Sequence, residues 1–191
     1  MARRKKQVFS LLALVAVLLT VASGALFFAE HLLRNPDLQA EVASLGYFGV
    51  IVIATIAGLN VILPIPAVAF TPIFTAAGMS LFGIILALTI GTLIADFIGY
   101  VFGRVSRDTL TLKYPKFIAR LEHIHKHHRE WLIPIILFYA AFIPVPNEAL
   151  IIPLALLGVT WRTMMFPLFL GNLVNQAIYA YGMHTAFRLL F

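Results

Sequence analysis

The sequence predicts an all-α integral membrane protein. Its frame is an inverted repeat of two re-entrant Pro-x-Pro helical hairpins, each followed by a spanning helix, with one more transmembrane helix at the N-terminus. Three observations carry this. Of 191 residues, 61% are hydrophobic and only 12% charged, whereas soluble domains lie near half apolar and a quarter charged. Pro-x-Pro interrupts an apolar run twice, at Pro64–Pro66 and Pro144–Pro146; prolines so close together remove N–H donors and break a continuous helix. The two interruptions also keep register. A shift of 80 residues puts Pro64 on Pro144, Pro66 on Pro146, Ala69 on Ala149, Gly78 on Gly158, Ser80 on Thr160 and Gly91 on Gly171. Proline and glycine punctuate structure, so their shared spacing indicates a repeated unit. Matched broken segments in two halves are a pointer to a transporter-type site.

Residues 1–30 are a basic segment, Arg3 to Lys6, and an apolar run from Val8 to Ala29. That run reaches the ~20 residues a span needs. Ser23-Gly-Ala25 is a possible cleavage site, but the apolar run continues beyond it, so a retained anchor is expected. His31 to Glu41 is polar and contains Asn35-Pro36, read as a turn in an external loop.

A single membrane domain is expected over 46–183. Repeat one covers 46–103. Its hairpin, Gly46 to Gly78, has a second arm too short to cross a bilayer at ~1.5 Å per residue, so the chain re-enters. Phe82 to Gly103 then spans. Along it Gly91, Ala95, Gly99 and Gly103 form a small-residue ridge for close helix packing. Asp96, with Thr92 and Tyr100, lies on a stripe beside that ridge, and an acid at membrane depth is a candidate functional group.

Residues 104–130 are a basic connection. Phe117, Leu121, Ile124, His128 and Trp131 fall at helical spacing among Lys116, Arg120, Lys126 and Arg129, which predicts an interfacial amphipathic helix. His123 and His127 are four apart, but there is no cysteine and no HExxH, so no metal site is expected. Repeat two, 131–183, holds the second hairpin, a short turn at Thr160–Thr163 and a span from Met164 to Met183. Asn172, Asn175, Gln176 and Tyr179 share one face of that span, and Gln176 is the repeat partner of Asp96. The polar pair Asn147-Glu148 follows the second tip; by position either residue could also cap the arm that restarts there.

The charge distribution orients the chain. The N-terminus has 4 Lys/Arg, the 104–129 connection 7 and the turn 1, so 12 of 14 share one face if both hairpins re-enter. Positive charge marks the cytoplasmic face. The first hairpin then enters from outside and the second from the cytoplasm.

Pro64-x-Pro66, Gly78 and Asp96-Phe-Ile-Gly-Tyr-Val-Phe-Gly-Arg104 together resemble the DedA/VTT-domain (SNARE-associated) membrane protein family, over about Gly46 to Met183. The resemblance implies two facing re-entrant hairpins and movement of lipids between leaflets; some bacterial members are associated with polyprenyl-phosphate recycling or proton-dependent membrane homeostasis. Two features depart from the family. Its acid after the first tip is missing from Pro64-Ile-Pro-Ala-Val-Ala-Phe70, and of its arginines around the second tip the first is replaced by Ala141, while Asn147-Glu148 stands near the second.

The expected activity is translocation of a lipid or lipid phosphate, with coupling to protons as a candidate feature. Glu148 and Asp96 would handle the proton. Asn60, Asn147, Asn172, Asn175 and Gln176 would supply neutral hydrogen bonds, and Arg104 would attract phosphate. The alternatives are a proton-coupled transporter of a small solute or ion, and a non-transporting scaffold or assembly factor. No catalytic residue, cofactor or nucleic-acid partner is expected: no cysteine, Gly-x-Ser-x-Gly elbow or carboxylate dyad within the Asp96 helix is present. Expected partners are membrane lipids, polyprenyl phosphate among them, protons and, compatibly, further copies of the chain. The expected location is a bacterial or archaeal cell (inner) membrane, N-terminus in the cytoplasm.

Overall fold

The structure, a computed structural model, describes residues 20, 23–31, 33–59, 66–113, 131–143 and 145–190. Residues 1–19 of the anchor, Asn60, Pro64, Pro144 and the histidines of 123–128 lie outside the described residues. The described elements are helical. Residues 23–31 are helical and precede α1 (Pro36–Ser44), α2 (Gly46–Gly58), a 3-10 turn (Ala67–Phe70) continuing into α3 (Thr71–Ala76), and α4 (Leu81–Lys113). Then follow α5 (Leu132–Phe142), α6 (Glu148–Leu156) and α7 (Trp161–Leu190).

Four boundaries differ from the sequence reading, the last being the end of the final span, expected at Met183 and observed at Leu190. The expected external loop contains α1, because Asn35-Pro36 starts a helix: Asn35 Oδ1 accepts the N–H of Leu38 at 3.3 Å and Pro36 sits at N1. The helix expected to end at Gly103 continues to Lys113. Gly103 keeps helical backbone, as the other glycines of the ridge do. The turn at Thr160–Thr163 is instead the first turn of α7. Among the described residues one helix, Leu81–Arg107, is long and apolar enough by itself to cross a membrane. Helix α7, at 30 residues, has the length but carries the polar stripe. Helices α1 and α2 pass the same test only as a pair bent by 73°.

Hydrogen bonds fix the directions of packing. Helix α2 runs alongside α4 in the same sense: Tyr47 Oη lies 2.9 Å from Ser80 Oγ, Thr55 Oγ1 donates to the Gly91 carbonyl at 3.2 Å, and Gly58 faces Ala95. The chain therefore returns at Ser80 to the level it left at Tyr47. Helix α5 runs likewise along α7, where Gly171 faces Ala140 and the Leu137 carbonyl. Helices α4 and α7 cross antiparallel, since Asp96 pairs with Asn172 and Thr92 with Gln176.

The second arm of each hairpin packs on the other half. Residues of α6 rest on α4, with Gly103 against the Ile152 carbonyl and Ala155. Ala67, Val68 and Phe74 share a core with Ala180 of α7. The glycine ridge of α4 is thus divided, Gly91 and Ala95 against α2, Gly99 and Gly103 against α6. A second core joins Ile136, Ile151, Leu154, Met164 and Leu168. Both second arms end alike. Gly78 and Gly158 each have φ +83, and the following N–H bonds five residues back, Met79 to Phe74 and Val159 to Leu154, both at 3.1 Å. This is the glycine-terminated Schellman ending, which a side chain would strain.

The first arms do not keep the shift of 80. Gly91 meets Ile51, Ala54 and Thr55 where Gly171 meets Leu137, Ala140 and Ala141, each pair 86 apart. The first hairpin therefore has six more residues between arm and Pro-x-Pro than the second.

Candidate functional site

The crossing of α4 and α7 buries a polar centre. Asp96 and Asn172 are 2% and 3% exposed. Asp96 Oδ2 accepts the Asn172 Nδ2–H at 2.7 Å and the Asn147 Nδ2–H at 3.1 Å. Asn147 Nδ2 also donates to Asn172 Oδ1 at 2.9 Å. A carboxylate only accepts, so both amides are oriented by Asp96. The triangle ties the second hairpin's tip to both long helices. One turn away, Thr92 Oγ1 donates to the Leu88 carbonyl at 2.9 Å and so accepts from Gln176 Nε2 at 3.1 Å. Gln176 is 8% exposed, and its Oε1 is buried without a hydrogen-bond partner among the described residues. Since Thr92 matches Asn172 and Asp96 matches Gln176 at a shift of 80, the two cross-helix bonds are repeat mates.

Glu148 opens α6 beside this centre. Its Cγ would lie 3.2 Å from a Cβ at position 99, so the glycine makes room for it. Both carboxylate oxygens are buried. Two carboxylates from different helices thus share one protein interior, where a double negative charge is costly. Tyr139 Oη donates to the Pro146 carbonyl at 3.2 Å, tying the end of α5 to the tip.

The expected residues divide as follows. Asn147 makes no capping bond with its side chain; the amide goes to Asp96 and Asn172 instead. Pro66 and Pro146 play equal parts, each carbonyl accepting the N–H three residues on, from Ala69 and Ala149, at 3.0 Å. Asn175 is off the centre: its Nδ2 donates to the Ala141 carbonyl at 3.1 Å, at the end of α5. Arg104 is not brought to the centre. It is exposed, eight residues or ~12 Å along α4 from Asp96, and its guanidinium lies with that of Arg107 against Gly158. Tyr179 is exposed. Tyr100 leaves the stripe as well; its Oη donates to the Val159 carbonyl at 3.2 Å and its ring neighbours Trp161. Tyr139 escaped the sequence reading; its signal is a hydroxyl seven residues before Pro146 at the end of an apolar arm. Among the described residues, no three His, Cys, Asp or Glu side chains gather as a metal site.

Chemically, the centre can hold or release a proton or cation and offer amide hydrogen bonds to a polar group. No curated protein and no solved structure matches the chain. A family model, the VTT domain, matches residues 65–185, more than half of the chain and all of the polar centre. The chain belongs to the VTT-domain family of membrane-associated, DedA-type proteins.

Proposed function

We propose that this protein is an integral membrane protein that moves lipids or lipid phosphates between leaflets, with its two halves forming an inverted repeat of re-entrant hairpins. The observation that carries the reading is the Asp96–Asn147–Asn172 triangle, with Glu148 beside it, at the crossing of two antiparallel long helices. Polar groups placed so deep are expensive unless they serve passage or coupling. The inversion is supported by the opposed directions of α4 and α7 and by the contact of Tyr47 with Ser80. In this reading the Asp96–Glu148 pair takes up a proton as the headgroup passes and returns it afterwards, while Asn147 and Asn172 exchange their bonds to Asp96 for bonds to the headgroup.

Purified protein in liposomes, loaded with a fluorescent phospholipid or a polyprenyl phosphate in one leaflet, tests this. Movement that is faster than in protein-free vesicles, and lost in Asp96→Asn, is the expected result. Uptake of a soluble solute without lipid movement would replace the reading by a solute transporter. Full biological complementation by an Asp96→Asn, Glu148→Gln double variant would replace it by a scaffold.

A further inference from the structure

A groove of ≈ 350 Å³ opens on the surface between α4 and α7, lined by Leu93, Arg162, Met165, Phe166 and Phe169. Four of its five lining side chains are apolar, and one is a cation. Arg162 has no hydrogen bond or ion pair with any described residue. It also stands in the first turn of α7, where the helix dipole disfavours positive charge. Helix electrostatics therefore do not account for it, and an anion held in the groove would complement it.

The groove has a direction. From Arg162 to Phe169 it descends α7 by seven residues, ~10 Å. In sequence Leu93 and Phe169 each stand three residues before a member of the polar centre, Asp96 and Asn172, and because the helices are antiparallel they flank it from opposite sides. An amphiphile with a charged head and a hydrocarbon tail matches both chemistries. We propose that this groove is a binding site for an anionic, phosphate-bearing membrane lipid, with Arg162 on the phosphate and the chain along Phe166, Phe169 and Leu93. The inference deepens the reading above by giving the polar centre a lateral entry, yet binding here requires no transport.

Trp161, next to Arg162, reports on the site. In a Trp131→Phe background it is the only tryptophan. The protein is reconstituted in phosphatidylcholine vesicles carrying a minor fraction of brominated lipid, and the quenching of Trp161 is measured. Brominated phosphatidylglycerol should quench more than brominated phosphatidylcholine. Arg162→Gln should lose that preference, and Arg162→Lys should keep part of it. Unbrominated phosphatidylglycerol and a polyprenyl monophosphate are then added as competitors; relief by either supports the site and tells which phosphate chemistry it takes. Equal quenching by the anionic and zwitterionic lipids, an Arg162→Gln variant that keeps the preference, or relief by neither competitor overturns the proposal. The Asp96→Asn variant separates the two readings, since it should stop lipid movement while leaving the quenching preference in place.

Discussion

Asp96 is satisfied from two sides by amides that have no other acceptor as strong. Its replacement by alanine strands the Asn172 donor in the interior and leaves Asn147 only its bond to Asn172, at about 1–3 kcal/mol for an unsatisfied group. Asp96→Ala should therefore lower the melting temperature in detergent clearly more than Asp96→Asn, which keeps an acceptor. Because Asn147 and Asn172 donate to the same oxygen and bond each other, Asn147→Ala and Asn172→Ala should not add. A double-mutant cycle on thermal stability should give about 0.5–3 kcal/mol of coupling; additivity would show that the triangle is not one unit. Glu148 differs, since a charge that comes and goes cannot be replaced by an amide. Glu148→Gln should fold and abolish the pH dependence of lipid movement, and Glu148→Asp should retain some of it. Normal movement by Glu148→Gln at every pH leaves Glu148 as a packing partner of Gly99 and moves any coupling to Asp96.

At the scale of elements, the contacts of glycine set how closely the arms approach. A Cβ at Gly91 would lie 2.5 Å from both the Ala54 Cβ and the Ile51 carbonyl, and one at Gly171 2.6 Å from the Ala140 Cβ. Backbone on the facing helix cannot yield as a flexible side chain does. Gly91→Ala and Gly171→Ala should each destabilise by about 1–3 kcal/mol, the usual range for overpacking. Gly182, in the same helix as Gly171 but with no described residue within 4 Å of its Cβ position, is the control: Gly182→Ala should be neutral or stabilise by about 0.5–1 kcal/mol. Melting curves in one detergent compare all three. Equal effects at Gly171 and Gly182 would mean that α5 does not rest on α7 through this glycine.

The whole molecule makes a topological prediction. The sequence has no cysteine, so each one introduced reports alone. Tyr47 beside Ser80 puts the two ends of the first hairpin at one level, and the antiparallel α4 and α7 put Arg107 and Arg162 at the other. Cysteines at Glu41 and Ser80 should both label with a membrane-impermeant maleimide from outside, and those at Arg107 and Arg162 only after permeabilisation. Labelling of Ser80 from the cytoplasm alone would make the first hairpin a crossing and remove the inversion.

The chain by itself determined its helical class and its family, because both reside in local terms: apolar runs without strand alternation, prolines that stop helices, and Gly78, Asp96 and Arg104 at fixed spacing. Candidate polar residues were legible for the same reason, an acid or amide inside an apolar run being visible without any partner. What the tertiary structure decided is who meets whom. A helix face records that Asn172 and Gln176 point together, but only the antiparallel crossing of α4 and α7 puts Asn172 on Asp96 and Gln176 on Thr92. Asn147 is a sound capping residue by position, but its Nδ2 donates to the Asp96 carboxylate and to Asn172, and in that orientation its Oδ1 makes no capping bond to α6. Asn175 and Arg104 left the centre because a 100° step per residue and ~12 Å of helix separate neighbours in sequence from neighbours in space. The register of 86 between the first arms was hidden for a related reason: insertions at a tip leave the punctuation after it untouched, and only the contacts of Gly91 and Gly171 show which residues of each arm are equivalent.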